Sequence, residues 1–348
     1  MKKLPTRLAF KYRSGDQATL ERDLKSLRDA TFYAASRGTL NDPFEGRFDR
    51  DPIDSQFLLL KQLLSGIMPA ATASLDGVAQ AANEVLSFVD KSGIFSLSLN
   101  PLNELIWSHY GGSHQGFCVG YDLQKLVEFE PNLHYCIDVQ YSDSAPILQH
   151  NQLIGATTPT ATLQRILGVK STPWRYEQEV RVVTTPPGLH EHDYRAVKKI
   201  YFGLRCHEST RLAVMEALAG RGVTYEQVES PDASYILRSI PIEDAYATAP
   251  QYKENLAPIM ESAIYPDYLK PEQKKHQDYL YKAAEIVRRE PYCMEIQLVE
   301  FSGSKSTPEQ PIIFVQYLRA PNKWVNHYLS LPEIDNEYEK LKFSESQM

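Results

Sequence analysis

Glu177 and Glu179 stand one residue apart in the segment TPWRYEQEVRVV, residues 172–183. Read as a strand, that segment puts Glu177, Glu179 and Arg181 on one face. Trp174, Tyr176, Gln178 and Val180 take the other, because strand side chains alternate. Two carboxylates so placed lie roughly 7 Å apart and repel by about 2.4 kcal/mol at an effective dielectric of about 20. Arg181, open water, or a substrate that needs both charges must offset that. A glycoside is such a substrate. Its cleavage passes through an oxocarbenium-like state, which one carboxylate stabilises through the sugar 2-OH while the other orients or deprotonates a nucleophile. The alternative is a solvent-facing strand edge whose Glu–Arg pair contributes under about 1 kcal/mol.

Four further groups carry polar side chains in suggestive patterns. Ser96 and Ser98 share one strand face, opposite Phe95, Leu97 and Leu99, and form either a polar shelf beside a ligand or ordinary alternation. Lys11 and Arg13 share a face on the first strand, and Arg13 suits a bidentate grip on phosphate or carboxylate. Asn41-Asp42-Pro43 sets a turn that could also rim a ligand. Leu102, Leu105, Ile106, His109 and Tyr110 form an apolar helical stripe, with His109 read as a core histidine. Trp107 lies off that stripe and is a candidate to stack on a base. No nucleophile elbow, P-loop or GxGxxG occurs. His190 and His192 alone have HxH spacing, and no metal is expected.

Composition bounds the class. The 348 residues, 43% hydrophobic and 23% charged, describe a soluble globular protein of two domains or one with an addition. The net charge of −7 gives no general pull toward nucleic acid or anionic membrane. No apolar run is long enough to span a bilayer, the basic N-terminus lacks a signal-peptide core, and a cytoplasmic location is expected. The four cysteines share no metal-type spacing.

The elements that must position these groups read as follows. LAFKYR is a strand, 15–30 a helix, TFYAAS a strand, 53–91 helical, and GIFSLS a strand. Asn100 is an N-cap and Pro101 a first helical residue for the stripe that follows. Strands and helices then alternate irregularly to about residue 245, without a βαβ rhythm. After 250 come proline-rich linker, a charged helix over 272–290, and a hairpin of CMEIQLVEF with IIFVQYLRA. The fold class is α+β. The domains are expected at 1–245 and 250–348, the second an accessory α+β module.

FKYR, TFYAASRGTLNDPFEG, IFSLSLNPLNELIWSHYGGSHQGFCVGYD, WRYEQEVR and KKIYFGLRC occur in that order. Together they resemble a bacterial domain-of-unknown-function family, number 2971, over residues 8–230. The order of a basic residue on the first strand, a Ser-x-Ser strand and a late Glu-x-Glu is similar to that of ADP-ribosyltransferases. That resemblance implies a split two-sheet core and NAD as substrate. Arg13 would hold NAD phosphate or ribose, Ser96 and Ser98 the nicotinamide pocket, and Tyr12, Tyr33 or Trp107 would stack on a ring. Asn41 and Tyr110 would border the same pocket. Glu179 would stabilise the ribosyl cation and Glu177 activate a protein or nucleic-acid acceptor. The sequence departs from the pattern at Leu97, where a threonine is usual, and in having Arg181 beside Glu179. An activity of this class would suit a toxin or phage-defence effector. The alternative is a non-catalytic module binding a nucleotide or a protein in the same cleft.

Overall fold

A computed structural model describes residues 7–44, 46, 87, 89–131, 133–146, 159–232 and 234–345. The expected helical region over 53–91 falls almost wholly outside them. The fold is α+β, and the chain divides into two compact units, Met1–Pro250 and Gln251–Met348.

In the first unit, β1 (Leu8–Arg13), β2 (Thr31–Ser36) and β3 (Gly93–Ser98) surround the site. Helix α1 (Gln17–Arg28) joins β1 to β2, opened by Asp16, whose side chain accepts from the Thr19 amide. Helix α2 (Glu104–Tyr110) and β4 (Phe117–Asp122) follow, then α3 (Leu123–Glu128) and β5 (His134–Asp138). Next come β6 (Gln140–Ser142), α4 (Pro159–Leu167), β7 (Val169–Ser171), β8 (Glu179–Thr184) and β9 (Gly188–Glu191). The unit ends with β10 (Val197–Phe202), α5 (Glu208–Ala217), β11 (Thr224–Glu229) and β12 (Arg238–Ile242).

The main sheet forks at β3. One edge of β3 pairs along its whole length with β8, from Gly93↔Thr184 to Ser98↔Glu179. The other edge is shared. β2 takes its start, at Ser36↔Gly93 and Ala35↔Ile94, and β1 takes its end, at Phe10↔Ser98. Phe95, Ser96 and Leu97 have no ladder partner on that edge. β1 continues the sheet through β4, β10, β11 and β12.

Registers decide which side chains share a face, since residues directly opposite point the same way. Ser98, Glu179, Phe10 and Tyr12 therefore lie on one face, and Lys11, Arg13, Phe95 and Val180 on the other. Each face has its own core. Leu24 and Leu27 of α1 pack with Phe95, Leu97, Val180 and Val182, whereas Ile106 and Trp107 of α2 pack with Phe10 and Tyr12. Burying each such side chain stabilises by roughly 1.5–3 kcal/mol.

Two local readings are corrected. Residues 172–177 are a 3-10 turn, not strand; Pro173 favours its first turn and Gln178, at φ 44° and ψ 54°, ends it. The N-cap of α2 is Asn103, not Asn100. Asn103 Oδ1 accepts from the Leu105 and Ile106 amides, at 3.0 and 3.1 Å, while Asn100 closes a turn onto Leu102. The buried face of α2 is Ile106 and Trp107, packed against β1, and His109 is exposed.

The second unit is a three-stranded antiparallel sheet of β13 (Glu295–Phe301), β14 (Ile312–Ala320) and β15 (Lys323–Ser330). The expected hairpin is its first two strands. Helices α6 (Asp278–Val287) and α7 (Leu331–Glu345) accompany it, and Leu280, Ala284 and Ile334 pack with Val299, Ile313 and Val315. Among the described residues, no helix is long and apolar enough to cross a membrane.

Candidate functional site

The fork opens a cavity of about 450 Å³. It runs from the α1 face of the sheet to the α2 face, because Arg22, Asp23 and Ser26 of α1 and Ile106 and Tyr110 of α2 both line it. Its volume falls within the range of small-ligand sites.

On the α2 face, the two glutamates meet a lysine that the sequence did not single out. Lys170 Nζ lies 2.6 Å from Glu177 Oε2 and 3.1 Å from Glu179 Oε2. The left-handed Gln178 reverses the chain between the glutamates, so both carboxylates converge on one ammonium rather than lining a strand. The Leu99 amide donates to the Gln178 carbonyl at 2.9 Å and helps hold that bend. Such a conformation costs a non-glycine residue about 1–2 kcal/mol. Tyr110 donates to Glu177 Oε1 at 2.8 Å, and Asn41 hydrogen-bonds the same hydroxyl. Asn103 Nδ2 donates to the Tyr176 carbonyl at 3.1 Å, fastening α2 to the turn that bears Glu177.

Glu179 is 4% exposed and is gripped by Arg181, with Nε at 2.8 Å and Nη2 at 3.0 Å. Burial pushes its pKa up. Arg181, Lys170 and a hydrogen bond from Ser96 more than offset that, leaving it at about 2. The Tyr141 hydroxyl accepts from the Glu179 amide at 2.8 Å. Burial pulls the Lys170 pKa down, but Glu179 and Glu177 hold it above its ordinary value. Glu179 and Lys170 are therefore both charged at neutral pH.

In the throat of the fork, Lys11 Nζ donates at 2.9 Å to the carbonyl of Ser96, one of the β3 residues without a strand partner on that edge. It stands 5.1 Å from the centre of the Phe95 ring. On the α1 face, Arg13 Nη1 lies 3.5 Å and Arg22 Nη2 3.1 Å from the same oxygen of Asp23. Arg13 also hydrogen-bonds Tyr121.

The expected site residues fall into two groups. Arg13, Ser96, Ser98, Asn41, Tyr110, Glu177 and Glu179 all line the cavity, although Arg13 and Glu179 sit on opposite faces of the sheet. The Ser98 hydroxyl is engaged with the backbone of Asn100. Trp107 is not available for stacking. It is fully buried, its Nε1 donates to the Pro101 carbonyl at 2.9 Å, and it takes Tyr12 edge-on. Tyr12 borders the cavity, but its ring is 7% exposed and its hydroxyl donates to the Asn100 carbonyl. Tyr33, 62% exposed at the rim, and Trp174 offer the accessible rings. Lys170, Asp23 and Trp174 were missed: Lys170 and Asp23 stand in elements whose own pattern shows no motif, and the strand reading put Trp174 on the face away from the glutamates.

His190 lies in β9, with Nδ1 3.4 Å from Nε2 of His134. No group of three or more potential metal-binding His, Cys, Asp or Glu side chains occurs among the described residues.

No curated protein and no solved structure gives a match to the chain. The resemblance drawn over residues 8–230 is supported over a shorter stretch. Residues 106–182, which carry Tyr110, Lys170, Glu177, Glu179 and Arg181, match the model of the family described as protein of unknown function (DUF2971).

Proposed function

We propose that the cavity binds NAD and that the protein breaks its nicotinamide–ribose bond, passing ADP-ribose to an acceptor or to water. The observation that carries this reading is convergence. Arg13, Ser96, Glu177 and Glu179, drawn from β1, β3 and the turn into β8, line one cavity of ligand size. The C1′–N bond breaks with its electron pair leaving on nicotinamide; an acceptor oxygen or nitrogen then attacks C1′ and loses its proton to Glu177 or to solvent. Glu179, ionised and fixed by Arg181, supplies the stationary negative charge that a ribosyl cation needs. Glu177, hydrogen-bonded to Tyr110 and Lys170, faces the acceptor. The acceptor is a protein or nucleic acid, and a toxin or phage-defence role would follow from such a reaction.

The test is nicotinamide release from NAD by purified protein, with Glu179→Gln and Glu177→Gln in parallel. Release by wild type and its loss in Glu179→Gln is the expected result. No release, together with no labelled ADP-ribose incorporated in cell lysate, would sink the reading.

One observation favours a second reading, a module that binds a nucleotide without cleaving it. Arg181 occupies both oxygens of Glu179. Saturable NAD binding with no nicotinamide released in buffer or lysate would select it.

A further inference from the structure

Lys11 and Lys170 border one cavity in opposite circumstances. Lys170 meets two carboxylates, whereas Lys11 Nζ has no carboxylate within ion-pair distance among the described residues. Lys11 instead touches a carbonyl and the face of Phe95. On the α1 side, among the described residues, Arg13 and Arg22 share one oxygen of Asp23, so with Lys11 three lining cations have one ion-paired carboxylate between them; Asp42, which also lines the cavity, accepts from the Phe44 amide. A partly buried cation without a counter-charge is unfavourable unless an anion completes it.

We infer that Lys11, with Arg13 and Arg22 beside it, forms an anion site in the throat of the fork that takes the phosphate or diphosphate group of a ligand. The site is independent of bond cleavage and holds whether the cavity turns NAD over or only binds a nucleotide. Arg13 and Arg22 offer planar donors to phosphate oxygens, and Lys11 offers a point charge.

Binding at this site is coupled to a proton. Burial and the charge of Arg13 hold Lys11 at about 8, partly offset by Glu179, Glu177 and Asp23. The groups whose charges bear on it are Arg13 on β1, Asp23 on α1, Glu177 in the turn, Glu179 on β8 and the Cys118 thiol on β4, and Arg22, Asp42 and Lys170 line the same cavity. An anion in the throat raises the lysine's pKa, so near pH 8 binding takes up a proton and affinity falls as pH rises further.

Calorimetric titration of the full chain with inorganic pyrophosphate tests this, with ADP-ribose as competitor. Wild type is expected to bind pyrophosphate and to lose at least about tenfold in affinity between pH 7 and 9.5. At pH 8 the heat should change with the buffer's ionisation enthalpy, reporting proton uptake. Lys11→Met should remove about tenfold at pH 7 and flatten the pH profile. Lys11→Arg, always charged, should retain binding with a flat profile. Circular dichroism checks that both variants fold. Competition by ADP-ribose assigns the site to a nucleotide diphosphate, and its absence assigns it to a free anion. Pyrophosphate binding that is equal in Lys11→Met, or no binding of either probe to wild type, would overturn the inference. Lys11-dependent pyrophosphate binding without nicotinamide release would retain it while discarding NAD cleavage.

Discussion

The two faces of the fork differ in how their charges are answered. On the α2 face, Glu177 and Glu179 share Lys170, Arg181 closes on Glu179, and Tyr110 completes Glu177. On the α1 face, Arg13 and Arg22 share one oxygen of Asp23, and among the described residues Lys11 has only a backbone carbonyl and a ring. The first arrangement is complete by itself and contributes to holding the fold. The second is complete only with a ligand. Pre-arranged structural charge and ligand-seeking charge thus occupy opposite ends of one cavity, and stability measurements can tell them apart.

Arg181→Met should have the largest effect. It removes the bidentate partner of a buried Glu179 and leaves it Lys170 alone as counter-charge, and the cost should be about 3 kcal/mol in denaturant unfolding. A loss under about 1 kcal/mol would mean that the α2 face is not a structural network.

Acid titration sharpens the same point. The Glu179 pKa lies below its ordinary value of 4.5, at about 2, so its stabilisation is full above pH 4.5 and fades as pH falls toward 2. The loss should be on the order of 3 kcal/mol. Thermal melts across that range should show this decline in wild type and a flatter profile in Glu179→Gln.

Lys11 carries the opposite sign. Its pKa is lowered from 10.5 to about 8, so the charged lysine costs stability below pH 8, a cost that fades as pH rises to 10.5. Lys11→Met should gain about 1 kcal/mol at pH 7, after allowance for partial exposure and the lost bond to Ser96. A loss above about 1 kcal/mol would make Lys11 structural and erase the contrast.

Tyr110→Phe is the finest test. Removing one donor from Glu177 while Lys170 stays should cost about 1 kcal/mol by urea unfolding.

Much of the fold was legible. LAFKYR, TFYAAS and GIFSLS are strands, and the helix expected over 15–30 is α1, with Leu24 and Leu27 buried. The Ser96/Phe95 alternation also reads through into two faces, with Ser96 hydrogen-bonded to Glu179 and Phe95 in the core. The WRYEQEVR segment misled because a left-handed Gln178 breaks the period that alternation assumes. His109 was read as inward from the local stripe, but packing against Phe10 and Tyr12 turns Ile106 and Trp107 inward and leaves His109 exposed.

Residue types and local periodicity settled the polar inventory: carboxylates one residue apart, a cationic first strand, and a Ser-x-Ser strand. Only tertiary structure decided that Lys170 joins the carboxylates and that Arg13 and Glu179 face opposite sides of the sheet. Alternation is set within a strand by its own pleat. Which face meets which depends on pairings such as Phe10↔Ser98, between residues far apart in the chain. The unpaired stretch of β3, from which the cavity opens, exists because β1 and β2 both claim one edge and neither covers its middle.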